Sequence, residues 1–338
     1  MYHLLICESA IITIFRRLEM KTRITELLEI DYPIIQGGLA YLADANLASA
    51  VSNAGGLGQI TAVTLPTPEH LREEIKKVKM LTSKPFAVNF AISLYGDKWK
   101  DYLEVAIAEQ VPVITITGGN PLPVLERLKG LPIKKISLVS TVKQAMKAEA
   151  LGMDAIMAVG QEGGGHIGKD DLGTFVLIPK VVDAVKIPVI ASGGIGDGRG
   201  MMAAFALGAE GIEMGTRFIA TKECVLAHEN YKKTLVEKTE MDTIVVKRTL
   251  GAPARAILNP TTEKVLELEH QGAAFEQLQP LIGGENNKVA IYQGDMERGF
   301  AWAGQVMGLI RDVPTVQELF HRIVGEAEEI SEKWKSIF

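Results

Sequence analysis

Cysteine is almost missing from this chain: Cys7 and Cys224 are the only two in 338 residues. They stand far apart and show no ligand-like spacing to the six histidines, which argues against a disulfide scaffold and a structural zinc site. A reducing cytoplasm is the expected compartment, and no metal is expected. Runs of Lys or Arg are lacking too. With 36 basic and 41 acidic residues and a pI near 5.8, nothing recommends nucleic acid or an anionic membrane as partner. A small molecule is the expected partner. No segment beyond the N-terminal stretch approaches the roughly 18 uninterrupted apolar residues of a membrane span.

Short apolar runs, by contrast, are plentiful. Hydrophobic residues make up 47% of the chain, enough for a large core, and the length suits one barrel of roughly 250 residues with an appendage. The opening MYHLLICESAIITIFRRLEM imitates a signal peptide only weakly, because Glu8 breaks its apolar run and the arginines follow that run. Residues 1–19 are therefore expected to be an extension outside the fold, with KTRITELLEIDYPIIQ opening it as a helix and a strand.

From there, apolar runs bounded by Gly or Pro alternate with amphipathic helical stretches. The strand-like runs are 33–36, 57–63, 86–92, 113–117, 136–140, 155–159, 188–192 and 211–214. Continuous hydrophobic strands with helices between them imply a parallel sheet covered on its outer face, and eight repeats imply a closed (β/α)8 TIM barrel over residues 20–223. A doubly wound open sheet is the alternative, but the first run is followed by QGGLAYLAD, which lacks the G-x-G-x-x-G spacing. Residues 224–305 read as a smaller, mostly helical cap domain. The stretch 306–338 ends in a helix expected to return to the barrel.

Barrel chemistry sits at the C-terminal ends of the strands. Gln36, Gly37 and Gly38 follow the first, Asn89 lies in the third, and Gly118 and Gly119 follow the fourth. Ser192, Gly193 and Gly194 end the seventh, and Gly215 and Thr216 end the eighth. Glycine loops after strands seven and eight, with two hydroxyls, suit a phosphate; they also suit simple turns. Asn89 suits a heterocycle with donors and acceptors, or a satisfied core amide.

The sixth strand leads into GQEGGGHIGKDD, a run too rich in glycine for helix or strand. It presents His166, the candidate catalytic residue, directly after Gly165. Glu162 is expected to brace this loop, with a solvated acid as the alternative, and Asp170 and Asp171 read as a helix start. Tyr292, Gln293 and Trp302 are candidates to face the cleft from the cap or to pack within it. Cys224 reads as buried.

The motifs YPIIQGGLAYLADANLASAVSNAGGLGQI, KPFAVN, GGGHIG, IPVIASGGIGDGRG and GAEGIEMGTRF resemble those of the FMN-dependent nitronate monooxygenases, formerly 2-nitropropane dioxygenases, and the related FMN-containing enoyl-ACP reductases. The resemblance runs from Lys21 onward. It implies FMN across the barrel mouth, with Gln36, Gly37, Gly38 and Asn89 at the flavin. It further implies Ser192, Gly193, Gly194, Gly215 and Thr216 at its phosphate, Glu162 and Gly165 among the cofactor-binding residues, and His166 facing the substrate. The implied reaction is oxidation of alkyl nitronates by dioxygen to carbonyl compounds and nitrite, with His166 as base or anion stabiliser. An enoyl-ACP reductase acting on a thioester carried by acyl carrier protein is the alternative, and an NAD(P)H:quinone reductase a further one; these two alone need NAD(P)H. A flavin-binding but idle protein would predict a blocked site. A homodimer is compatible with the sequence.

Overall fold

The computed structural model describes residues 20–92 and 96–337; the expected extension and Cys7 lie outside them. Eight parallel strands form the barrel: β1 (Ile34–Gln36), β2 (Gly58–Thr61), β3 (Phe86–Ala91), β4 (Val113–Thr117), β5 (Lys134–Val139), β6 (Ala155–Val159), β8 (Val189–Ser192) and β9 (Gly211–Met214). Each pairs with its neighbour in chain order, and β9 returns to β1. A parallel bridge between Ile35 and Leu57 completes the ring, with Gln36 N–H donating to Leu57 O at 3.0 Å. The fold is a (β/α)8 TIM barrel.

Helix Arg23–Leu28 starts at a capping box on Thr22 and plugs the N-terminal end of the barrel. Its Ile24 and Leu28 join Ile35, Leu57, Ala87 and Val113 in one buried cluster. Because this end is closed by apolar packing, ligands have access from the opposite end.

Beyond the barrel, the chain forms helix Glu229–Glu237, strands β10 (Thr243–Val246) and β11 (Ala254–Ile257), and helices Pro260–His270, Phe275–Ile282 and Gly284–Gln293. The cap thus contains a small sheet that the helical expectation lacked. Its order is β10-β11-β7, where β7 is the two-residue strand Gly165–His166 from the glycine loop. Helix Val316–Lys335 returns to the barrel, lying on helix Gly198–Ala206, where Glu326 accepts from Gly198 N–H at 2.8 Å. Among the described residues no helix is long and apolar enough to cross a membrane.

Candidate active site

The C-terminal strand ends and the cap enclose one cavity of about 710 Å3. Backbone forms much of its floor, because Gly37, Gly38, Gly193, Gly194 and Gly215 all line it. At Gly38 the missing side chain is a spatial requirement: a Cβ would fall 2.6 Å from Asn89 Oδ1. Asn89 itself is 3% exposed, and its Nδ2 donates to Thr115 Oγ1 at 2.9 Å. Its Oδ1 has no protein donor among the described residues, so an acceptor beside Gly38 is left for a ligand.

Gln36 sits elsewhere than expected. Its Nε2 donates to the carbonyls of Gly37 and Gln59 at 2.8 and 3.1 Å, and its Oε1 accepts from Gln59 N–H at 3.1 Å. The side chain points into the barrel interior beneath the cavity, as the two-residue alternation along β1 dictates. There it belongs to a buried chain of hydrogen bonds, Gln36 to Gln59 to Thr115 to Asn89, which ties β1 through β4 together. Gln36 supports the floor without lining it.

Thr216 Oγ1 accepts from Gly304 N–H at 2.9 Å and keeps its own proton free to donate, and Ser192 stands in register with Glu213 on the neighbouring strand. The backbone N–H groups of Gly194, Gly215 and Thr216 have no protein acceptor among the described residues. Open N–H groups beside glycines can receive an anion.

The three glycines before His166 answer different demands. A Cβ on Gly163 would meet Val159 at 2.8 Å, and one on Gly164 would meet Gly304 N at 2.6 Å. Gly165 has open space around it but a φ of +74°, which side-chain-bearing residues rarely adopt. The loop is braced by Glu162, whose carboxylate accepts from Thr174 N–H at 2.9 Å and from Thr174 Oγ1 at 2.9 Å. This places a carboxylate at the start of helix Thr174–Ala184, favourable for the helix dipole. Asp170 and Asp171 do not start that helix, whose N-cap is Gly173; Asp171 instead pairs with Arg248 at 2.8 Å.

His166 pairs in β7 with Ala254 of β11, which turns its ring to the cavity. Lys247, a residue the sequence reading passed over, brings its Nζ to 2.7 Å from His166 Nε2. The same ammonium lies 5.6 Å from the centre of the Trp302 ring, which is itself 5.6 Å from the imidazole. Glu269 holds the Lys247 backbone N–H at 2.7 Å. The imidazole is accessible from the cavity yet crowded by protein atoms, and this enclosure, with the Lys247 charge second, pushes its pKa down to about 4. Burial lowers Lys247 to about 8 against the opposing pull of Glu269. At neutral pH the pair therefore carries one charge, on Lys247, whose proton points at Nε2. The ring hydrogen then sits on Nδ1, which has no protein acceptor among the described residues. Such a pair donates hydrogen bonds and stabilises anions; an imidazole with a pKa of about 4 is a weak base.

Trp302 lines the cavity, whereas Tyr292 does not: its hydroxyl donates to Tyr41 O at 2.7 Å and fastens the cap to the barrel. Gln293 is not at the cavity wall either. Cys224 is buried, and burial pushes its thiol up to about 12.

The fold and sequence have clear relatives. FabK from Thermotoga maritima is 42% identical, with a TM-score of 0.89 over 94% of this chain and 99% of its own. A nitroalkane oxidase from Streptomyces ansochromogenes is 27% identical, with a TM-score of 0.79 over 93% of this chain and 100% of its own. A probable nitronate monooxygenase from Staphylococcus aureus is 35% identical over 92% of this chain and 98% of its own length. The counterpart from Staphylococcus saprophyticus is 33% identical over 93% and 99%. The nitronate monooxygenase family profile matches residues 21–94 and 91–326, nearly all of the described chain, and the protein belongs to that family of oxidoreductases.

Proposed function

We propose that this protein is an FMN-dependent oxidoreductase that reduces an enoyl thioester at the expense of NAD(P)H. The residues present fit FMN: the open N–H groups of Gly194, Gly215 and Thr216 suit its phosphate, and Gly38 with the free Asn89 Oδ1 suits a flat heterocycle. When bound, FMN would supply hydride transfer between the nicotinamide and the substrate.

The observation that carries the reading is the 2.7 Å contact between Lys247 and His166. Adding hydride to the β-carbon of an enoyl thioester puts negative charge on the thioester oxygen and then requires a proton at the α-carbon. The His166 Nδ1–H can bind that oxygen, and Lys247, with its pKa near 8, can replace through Nε2 a proton given up at Nδ1. One hydride and one proton leave the saturated thioester and NAD(P)+. The likeness to FabK supports this assignment, and an acyl carrier protein would present the substrate.

Oxidation of alkyl nitronates by dioxygen is the second reading, supported by the Staphylococcus relatives and by the nitroalkane oxidase. There the pair would serve as counter-charge for an anion that arrives already formed, and the acid function of Lys247 would have no use.

Anaerobic mixing of the purified protein with NADH, NADPH or an alkyl nitronate, followed by flavin absorbance, separates the two. Bleaching by a nicotinamide, with colour restored by an enoyl thioester, is the expected result. Bleaching by nitronate alone, with nitrite released on admission of air, would overturn it in favour of the second reading.

A further inference from the structure

The mouth of the barrel differs from one side to the other. In the strand order β1 and β5 stand opposite one another, so the loops that follow them face each other across the cavity. Over β1 the lining is apolar, with Leu39 and Tyr41 from the barrel loop and Ile282 and Ile291 from the cap. The cap is fastened on this side: the Tyr292 hydroxyl donates to Tyr41 O at 2.7 Å, and Gly284, two residues beyond Ile282, packs against the Tyr41 hydroxyl.

Over β5 the lining is polar. Ser140, which follows the strand, and Gln144 line the cavity there. Gly168 of the glycine loop lies against Ser140, since a Cβ on it would fall 2.8 Å from the Ser140 Cβ. The next residue, Lys169, is exposed and lines the cavity, and its Nζ rests over the turn at Gly251, where an added Cβ would lie 3.1 Å from it. Two lysines therefore line this cavity, with different engagements. Lys247 is turned to His166, whereas Lys169 pairs with no acid among the described residues, the adjacent Asp170 included. Asp171 is held by Arg248 at 2.8 Å. On β4, the neighbour of β5, Gly118 and Gly119 line the cavity with backbone N–H groups that have no protein acceptor among the described residues. An unpaired ammonium at the lip of a cavity, with open N–H groups on the same side, suits the oxygens of a phosphate.

We propose that Lys169 is the docking cation for a phosphate ester carried by an incoming ligand, and that the enoyl thioester lies across the mouth with its acyl chain over β1 and the phosphorylated arm of its carrier over β5. The proposal rests on the enoyl-thioester reading above and adds to it the direction in which that substrate lies. The ends match: the acyl chain is apolar, and a pantetheine arm ends in a phosphate. Lys169 follows His166 by three residues in the same loop, so their Cα atoms are at most about 10 Å apart. An arm that leaves a thioester bound at His166 on the β5 side therefore runs towards this lysine. The pyrophosphate of a nicotinamide dinucleotide has the same chemistry, and experiment separates the two sources.

The test is calorimetric titration of the full-length holoenzyme with two product thioesters that differ only in the phosphate, butyryl-4′-phosphopantetheine and butyryl-pantetheine, and with NAD+ and NADP+. The wild type is expected to bind the phosphorylated thioester about tenfold more tightly than its partner, the weight of one charge-assisted hydrogen bond. Lys169→Met is expected to remove that preference without weakening the phosphate-free thioester, and Lys169→Arg to keep it. A loss in Lys169→Met confined to the dinucleotides would keep Lys169 as a phosphate site and overturn the direction given to the thioester. Equal binding of the two thioesters by the wild type with no dinucleotide loss in Lys169→Met, or an equal loss for the phosphate-free thioester, overturns the role of Lys169 and leaves the enoyl-thioester reading standing. Failure of the wild type to bind any of the four would instead overturn that reading, and this role with it.

Discussion

Lys247 Nζ stands 2.7 Å from His166 Nε2 although 81 positions separate the two residues in the chain. Each depends on a different segment for its position: the imidazole on the β7–β11 pairing, the ammonium on a turn held by Glu269. Replacing Lys247 with Met removes the charge and should raise the His166 pKa from about 4 towards its ordinary value. It should stop short of that value, because burial is the larger cause of the depression. An NMR titration of the His166 ring in Lys247→Met reads the shift directly. An unchanged pKa would mean that the contact has no electrostatic weight.

The same pair predicts an alkaline limit on turnover. Proton donation requires the ammonium form, which is lost as pH rises through about 8, so kcat should fall above that pH in the wild type. Stability moves the other way. A lysine whose folded pKa lies below its unfolded value penalises the folded state while it is charged, and stability is regained as pH rises from about 8 towards the unfolded value. Lys247→Met should therefore raise Tm at neutral pH while lowering kcat. Thermal unfolding and steady-state rates on one preparation check both signs.

His166→Ala should leave FMN bound and reduce turnover by about 10²-fold or more. A variant with full turnover and an unchanged flavin spectrum would remove His166 from the chemistry.

The loop glycines give a graded stability test. Gly165→Ala meets no neighbour and incurs only the positive-φ penalty, about 1 kcal/mol. Gly164→Ala drives a methyl into the backbone of Ala303 and Gly304 and should cost more, with a visible loss of activity because the β7 strand must shift. Denaturant midpoints of the two variants should fall in that order.

The barrel was legible in the sequence because its strands are continuously apolar, and continuous burial is what a parallel sheet covered on both faces imposes. Every expected run overlaps one of the observed strands. The rim glycines were legible because they break the apolar runs at the strand ends, and Gly37, Gly38, Gly193, Gly194 and Gly215 all line the cavity. Lys247 was not. In VVKRTL a lysine reads as a solvated charge, and its 9% exposure arises only when Glu269 and Trp302, from two other parts of the cap, close around it. The β-branched TIVV before it was the one local signal of a strand leading to that position. Gln36 lies beneath the cavity and not on its wall for a simpler reason: whether a polar residue near a strand end points into the barrel or towards its mouth depends on how the strands tilt, which spacing along one strand does not reveal.

His166 leaves the barrel on a barrel loop, yet its backbone is hydrogen-bonded into the cap sheet. Any movement that lifts the cap would carry the histidine and its lysine away together and leave the glycine floor on the barrel undisturbed. The surface that holds a cofactor and the groups that act on a substrate would then travel on separate bodies.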